Sequence, residues 1–581
     1  MSVSVDARSS SRGARRSWVT FDLRFLGVAC SIGLLVLMVI VPIGVMAIAS
    51  LRPPQTLPFE GSLILSNYTD VFGHPSTPAL FRNTIVFAIG SLLLAMPIAF
   101  SLAFLTERTD LPGRNAFYSL MFIPMSVPVF ATALGWVLLL GPRAGTINEW
   151  LRIILNLNTQ EGPINVFSLG GMIFVQAIGM VPSMWLILIS VLRRMDPSLE
   201  EAAAAAGAGR MRTLTHVTAP LMAPGLLAIA VLYLVVGMET LETPLALGRT
   251  AGIDVLATRV YEMLHTTQGF AYGPPATLGM SGLILGLIGI SGYLYFLRRA
   301  NKYAVVTGKG YRPRMITLGA WRWPAVCGVG LYMALAAVIP FAVLVVTSFQ
   351  QFYQPLVPDV RIIWTLNNYQ ELLDYRFFGQ YFVNTIVVSA IAATVTMLFV
   401  TFIAWQLVRW PSRLTQLVNA LAFLPLSVPA VISGLAFFLL FIGTPLYGTI
   451  ALLVLAYTAR FIAYGTRLMH AAQVQIHREL EEAALTAGVG QLVTFLQINL
   501  RLLLPAFMNG WLWVLTHAAR DFTTALVVAG GGVLLASNVI FDRFANGRFP
   551  LSAAMMVALV MFNLTAVFIG RKWIGRTIGQ D

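Results

Sequence analysis

Charge is scarce in this chain. Asp, Glu, Lys and Arg make up 11% of its 581 residues and apolar residues 57%, too little polar material to cover a soluble protein of this size. A soluble globular fold is thereby excluded and an integral membrane protein indicated. Cysteine is scarcer still: Cys30 and Cys327 stand in separate apolar runs, which argues against a disulfide framework or a cysteine-based metal site. Histidine is also thin. None of His74, His216, His265, His470, His477 and His517 forms an i, i+4 pair or an H-E-x-x-H pattern, so no catalytic residue and no metal site is assigned to the chain. A phosphate-cradling G-x-x-x-x-G-K-[ST] loop is missing too. The nearest match, YAVVTGKGY, has Tyr303 in place of the first glycine and Gly310 in place of the hydroxyl, so any nucleotide chemistry belongs to partners. Acids are outnumbered by bases, for a net charge of +14. In a membrane protein that excess is expected on the cytoplasmic side, and a nucleic-acid partner is not inferred.

What the sequence has in abundance is apolar runs of membrane length. They lie near residues 25–50, 84–105, 116–140, 170–192, 216–238 and 276–297, then 324–348, 384–408, 414–441, 449–470, 502–519 and 550–570. The expected fold is an all-α membrane protein of twelve transmembrane helices. Arg8, Arg12, Arg15, Arg16 and Arg24 place the tail 1–24 in the cytoplasm, and alternation places the basic linker 298–323 and the tail 571–581 there too.

The halves 25–297 and 324–570 repeat each other. SNY at Ser66 matches NNY at Asn367, NTI at Asn83 matches NTI at Asn384, and FIPMSVPVF at Phe122 matches FLPLSVPAV at Phe423, all at an offset of 301. After a longer loop in the first half, Gly141 to Gly171, the offset becomes 281. Six spans per half with the same starting side give a parallel repeat, related by a pseudo-twofold axis along the membrane normal.

At the second offset stand EEAAAAAGAGRMRTLTHVTAPLMAP, residues 200–224, and EEAALTAGVGQLVTFLQINLRLLLP, residues 481–505, each between the fourth and fifth spans of its half. Asp196 and Pro197 suit a helix start, Glu200 and Glu201 suit its positive end, and alanine continues it. Gly207 and Gly209, like Gly488 and Gly490, interrupt it. The pattern predicts a short helix, a bend and a second helix entering the membrane, with an alanine face suited to a groove on another protein.

These stretches resemble the EAA loop of ABC-importer permeases through Glu201, Ala202, Ala203 and Gly207 in the first copy and Glu482, Ala483, Ala484 and Gly488 in the second. Arg501 departs from the family tail where the first copy has Pro220. The resemblance implies a permease, not itself an enzyme, in the bacterial inner membrane. It implies two cytoplasmic ATPase subunits that bind ATP and Mg, coupled through these loops, and an extracytoplasmic substrate-binding protein. Lys302 to Arg314 and METLETPLALG at Met238 are similar to ferric-iron importer permeases, which implies iron(III) as cargo; thiamine, polyamine and aminoethylphosphonate permeases are built alike. A secondary transporter of the major-facilitator type would share the six-plus-six arrangement but has no use for the loop in both halves.

Two further sets are candidates for the pathway, or for packing alone. Pro124 and Pro128, and Pro425 and Pro429, should kink the third span of each half. Glu239 and Glu242 follow the fifth span of the first half, and Arg520 and Asp521 that of the second. Counting residues puts these charges at the outer ends of their spans, as a solvated external cap, as a Glu-to-Arg520 pair joining the halves, or as an acidic entrance for a hard cation.

Overall fold

Where no water is available to backbone groups, an apolar run must satisfy its N–H and C=O groups internally, and helix does so within a single segment. The computed structural model describes residues 14–193, 202–203, 205–266, 269–302, 315–358, 360–374, 379–529 and 532–578. In chain order its main helices are α1 (Phe25–Ser50), α2 (Thr77–Arg108), α3 (Arg114–Ser126), α4 (Val129–Leu140), α5 (Leu169–Arg193), α6 (Thr215–Glu239), α7 (Gly273–Arg299) and α8 (Gly319–Ser348). There follow α9 (Gln380–Arg409), α10 (Arg413–Ser427) and α11 (Ala430–Phe441), α12 (Ile450–Val474), α13 (Arg478–Thr486), α14 (Phe495–Arg520) and α15 (Phe549–Gly570). The two-residue strands β1 (His265–Thr266) and β2 (Gly269–Phe270) pair antiparallel between α6 and α7.

Against the twelve spans expected, the described residues hold nine helices long and apolar enough to cross a membrane, together with two bent pairs. The pair α3 and α4 bends by 87° and the pair α10 and α11 by 108°. One further 25-residue helix, α12, falls short in hydropathy because it carries Arg460 and Arg467. Both bends follow from sequence. Val127 and Val428 precede prolines and are extended, with ψ of 128° and 113°, as the ring of a following proline requires; Pro128 and Pro429 then open the next helix.

Residues that repeat in sequence do equivalent work. Asn67 Nδ2 donates to Ser50 O at 3.0 Å and Arg52 O at 2.6 Å, and Asn368 Nδ2 to Ser348 O at 2.9 Å and Gln350 O at 2.7 Å. Each asparagine satisfies carbonyls left open where a first span ends. Tyr68 and Tyr369 meet the hydroxyls of Ser50 and Ser348 at 2.9 and 2.7 Å. Asn83 and Asn384 donate to Asp254 O at 3.3 Å and Leu534 O at 3.2 Å.

The two parts of the chain are interleaved in space. α1 packs on α10, α11 and α7, while α8 packs on α4 and α15. At the α4–α8 crossing a Cβ on Gly135 would lie 2.7 Å from Pro340 O, so glycine allows that approach. The segment after residue 314 turns back on the first half: Ile316 N donates to Arg108 O at 2.9 Å, and Leu318 N to Asp110 Oδ1 at 2.7 Å.

Candidate functional site

The stretch singled out between α12 and α14 folds as the short helix α13 and a bend. Glu479 and Glu481 lie in its first turn, where the helix dipole favours acids. Val489 N donates to Ala484 O at 3.0 Å and Ala487 N to Ala483 O at 3.1 Å, and Gly488 takes a φ of 84°. This is a helix end closed through a left-handed residue. The first copy has the same closure: Ala208 N donates to Ala203 O and Ala206 N to Ala202 O, both at 3.0 Å, and Gly207 has a φ of 81°. A Cβ on either glycine would meet nothing within 4 Å. Glycine is therefore required by conformation, which costs an L side chain about 1–2 kcal/mol.

Asp196, Pro197, Glu200 and Glu201 lie outside the described residues. In the second copy Glu482 and Ala483 are exposed and Ala484 is half-buried; Glu482 pairs with Arg478 at 2.9 Å in the open, where such a pair contributes little. The anchor is the preceding residue, Glu481, which sequence reading passed over. Its Oε1 accepts from Arg409 Nε at 2.6 Å and Asn499 Nδ2 at 2.8 Å.

The pathway candidates meet where the chains leave α6 and α14. Gln176 stands seven residues into α5, and its amide bonds Thr240 at 3.0 Å and Thr243 at 2.8 Å. Arg460 stands ten residues into α12; it pairs with Asp521 at 3.2 Å and donates to Thr524 at 2.7 Å. At 1.5 Å per residue these contacts lie about 10–15 Å along α5 and α12 from their first residues. The fifth helix of each half is followed by a buried segment, Pro244–Gly248 or Thr523–Val528, that sequence length does not distinguish from an exposed loop.

Arg520 donates to the carbonyl of Met125, beside the bend that Pro128 imposes. The cation thus covers a helix end whose acceptors the bend has freed. No ion pair within 4 Å joins Arg520 to Glu239 or Glu242 among the described residues; Asp521 takes Arg460 instead. Glu239 Oε1 is buried without a hydrogen-bond partner and faces a cleft lined by Val235, Leu256, Gly286, Pro429 and Ile432. Gly286 in turn lies against the carbonyl of Ser427. Pro128 and Pro429 are thereby brought to the meeting of the halves, with Pro124 and Pro425 one turn before each bend. Near the cleft, on the short helix Leu256–Leu264, burial and then Asp254 push the Glu262 carboxyl above its usual range, against Arg249 and Arg259.

Ser126 is half-buried whereas Ser427 is 1% exposed. With exposed Cys30 and Cys327 replaced by serine, Ser126→Cys is expected to react severalfold faster than Ser427→Cys with a small thiol reagent. Equal rates would contradict the packing described.

A family model described as binding-protein-dependent transport system inner membrane component matches residues 95–302 and again 397–578. A ferric transport system permease protein of Actinobacillus pleuropneumoniae is 27% identical over 82% of this chain and 68% of its own length. An Fe(3+)-transport system permease protein of Haemophilus influenzae is 20% identical over 90% of this chain and 96% of its own. A putrescine transport system permease protein of Escherichia coli is 30% identical over 32% of this chain and 69% of its own.

Proposed function

Since this chain belongs to the family of binding-protein-dependent transport system inner membrane components, we propose that it is the whole permease of an ATP-driven importer, with both transmembrane domains in one polypeptide. The observation that carries this reading is the double family match, each copy of which contains a helix end closed through a left-handed glycine, Gly207 or Gly488. In this reading the halves are six-span units related by a pseudo-twofold axis, with boundaries at 25–297 and 324–570. The N-terminus, linker and C-terminus face the cytoplasm. Two ATPase subunits supply ATP and Mg chemistry and dock on the stretches 200–224 and 481–505, and an extracytoplasmic binding protein delivers cargo.

Iron(III) is the cargo best supported. Relatives named for ferric transport align over 82% and 90% of the chain, whereas the putrescine permease aligns over 32%. Glu239 and Glu242 offer the hard oxygen donors such a cation prefers, and they stand beside the bends at the meeting of the halves. The pathway is assigned to that meeting, lined by these acids, Arg520 and Asp521, and gated where Pro124, Pro128, Pro425 and Pro429 bend the third spans.

Cells lacking the chain are expected to lose high-affinity uptake of radiolabelled iron(III) and to keep putrescine uptake, with iron uptake restored by the intact chain. Loss of putrescine uptake alone would transfer the assignment to polyamines. The double variant Glu239→Gln, Glu242→Gln should lower iron uptake while the amount of protein in the membrane is unchanged; wild-type uptake would remove the acids from the pathway.

A further inference from the structure

Of the nine residues of α13, Glu481 alone is buried. Its neighbours Leu480 and Leu485 are 48% and 40% exposed, and Glu482, Ala483 and Thr486 are exposed as well. A carboxylate is an unlikely residue to bury unless it is paired and hydrogen-bonded, and this one is both. Arg409, the last residue of α9, places Nε on Glu481 Oε1 at 2.6 Å, with both side chains 10% exposed. Its Nη2 donates to Ile476 O at 3.0 Å, in the turn that leads from α12 into α13. The same Oε1 accepts from Asn499 Nδ2 at 2.8 Å, and Asn499, fully buried, lies in the π-helical turn Phe495–Asn499 that opens α14.

One carboxylate oxygen thus ties an otherwise exposed helix to the ends of two long ones. α9 and α14 pack along each other, and α14 runs from Asn499 to Arg520, the residue that reaches the Met125 carbonyl at the bend of the first half. At 1.5 Å per residue that is about 32 Å of continuous helix between the anchor and the meeting of the halves.

We infer that Glu481 is the positioning residue through which displacement of α13 is passed to α9 and α14, so that the second half is coupled through a charged anchor. This rests on the reading of α13 as an ATPase-docking helix. The exposed face of α13 binds the partner, while the buried carboxylate on its other side converts that binding into movement of the membrane helices.

The test uses the assembled transporter in proteoliposomes, with the binding protein loaded with iron(III), and compares iron transported with ATP hydrolysed. Glu481→Gln keeps the shape and an acceptor for Asn499 but removes the charge facing Arg409. Iron moved per ATP is expected to fall roughly tenfold, within the range that side chains joining two sites contribute to coupling, while hydrolysis continues. Arg409→Gln strands a buried carboxylate and should lower the ratio further, and Glu481→Gln combined with Arg409→Gln, a neutral hydrogen-bonding pair, should recover part of that loss. A wild-type ratio in Glu481→Gln would overturn the inference, and would do so equally if less protein were made, since a purely structural anchor changes amount and not stoichiometry. Absence of ATP-dependent uptake in the unsubstituted transporter would instead overturn the reading on which the inference rests.

Discussion

Arg460→Met is expected to remove most of the protein from the membrane. Asp521 has a side chain only 5% exposed, and Arg460 lies 3.2 Å away with 31% exposure, so deleting the cation leaves a carboxylate in an apolar interior. Breaking a buried pair by removing one partner destabilises by about 3–5 kcal/mol, against a total stability of about 5–15 kcal/mol. The loss is specific to the unpaired state. Asp521 Oδ2 also accepts from Thr524 N at 2.9 Å, at the start of the turn Thr523–Val528, and asparagine can take over such a cap. Arg460→Met combined with Asp521→Asn should therefore return the protein amount and the melting temperature in detergent close to those of the parent. Abundance of the single variant equal to the parent would contradict the pair.

Gly488→Val is expected to abolish uptake without lowering the amount of protein, while Gly488→Asn should keep most of it. The backbone there has a φ of 84°, which a β-branched residue avoids and asparagine tolerates best among side chains. The space for a side chain is open, so the effect comes through the course of the chain between α13 and α14 and not through a clash. A bend lost at this point re-aims α13 relative to the proposed ATPase partner and pulls on Glu481. Gly207, with a φ of 81°, should show the same order of valine and asparagine. Equal uptake by the valine and asparagine variants would show that the left-handed turn is not needed.

Much of this was legible in the sequence because the signals are local or repeated. Apolar runs located the spans, although the helices extend past them: the run at 84–105 becomes Thr77–Arg108, since backbone hydrogen bonding continues into polar residues that hydropathy discounts. The proline pairs announced both bends, the matched asparagines and tyrosines make matched contacts, and the matched glycines adopt matched backbone conformations. Contacts between distant positions were not legible. Nothing near Arg460 in the sequence marks its partner, because Asp521 stands just past the end of α14, 61 residues on. In the first half Gln176, Thr240 and Thr243 hold the equivalent turn without any charge to draw attention to them. Glu481 was overshadowed by Glu482, the residue of the motif, because burial of one glutamate and exposure of the next depends on the direction in which α13 faces.

The most direct measurement of the central claim is uptake of iron(III) into proteoliposomes containing this chain and the two proposed ATPase subunits, with the loaded binding protein outside and ATP inside. The account predicts accumulation that requires ATP, both partners and the binding protein, and that is unaffected by collapsing proton and sodium gradients. Accumulation by the chain alone, driven by such a gradient and indifferent to ATP, would contradict it.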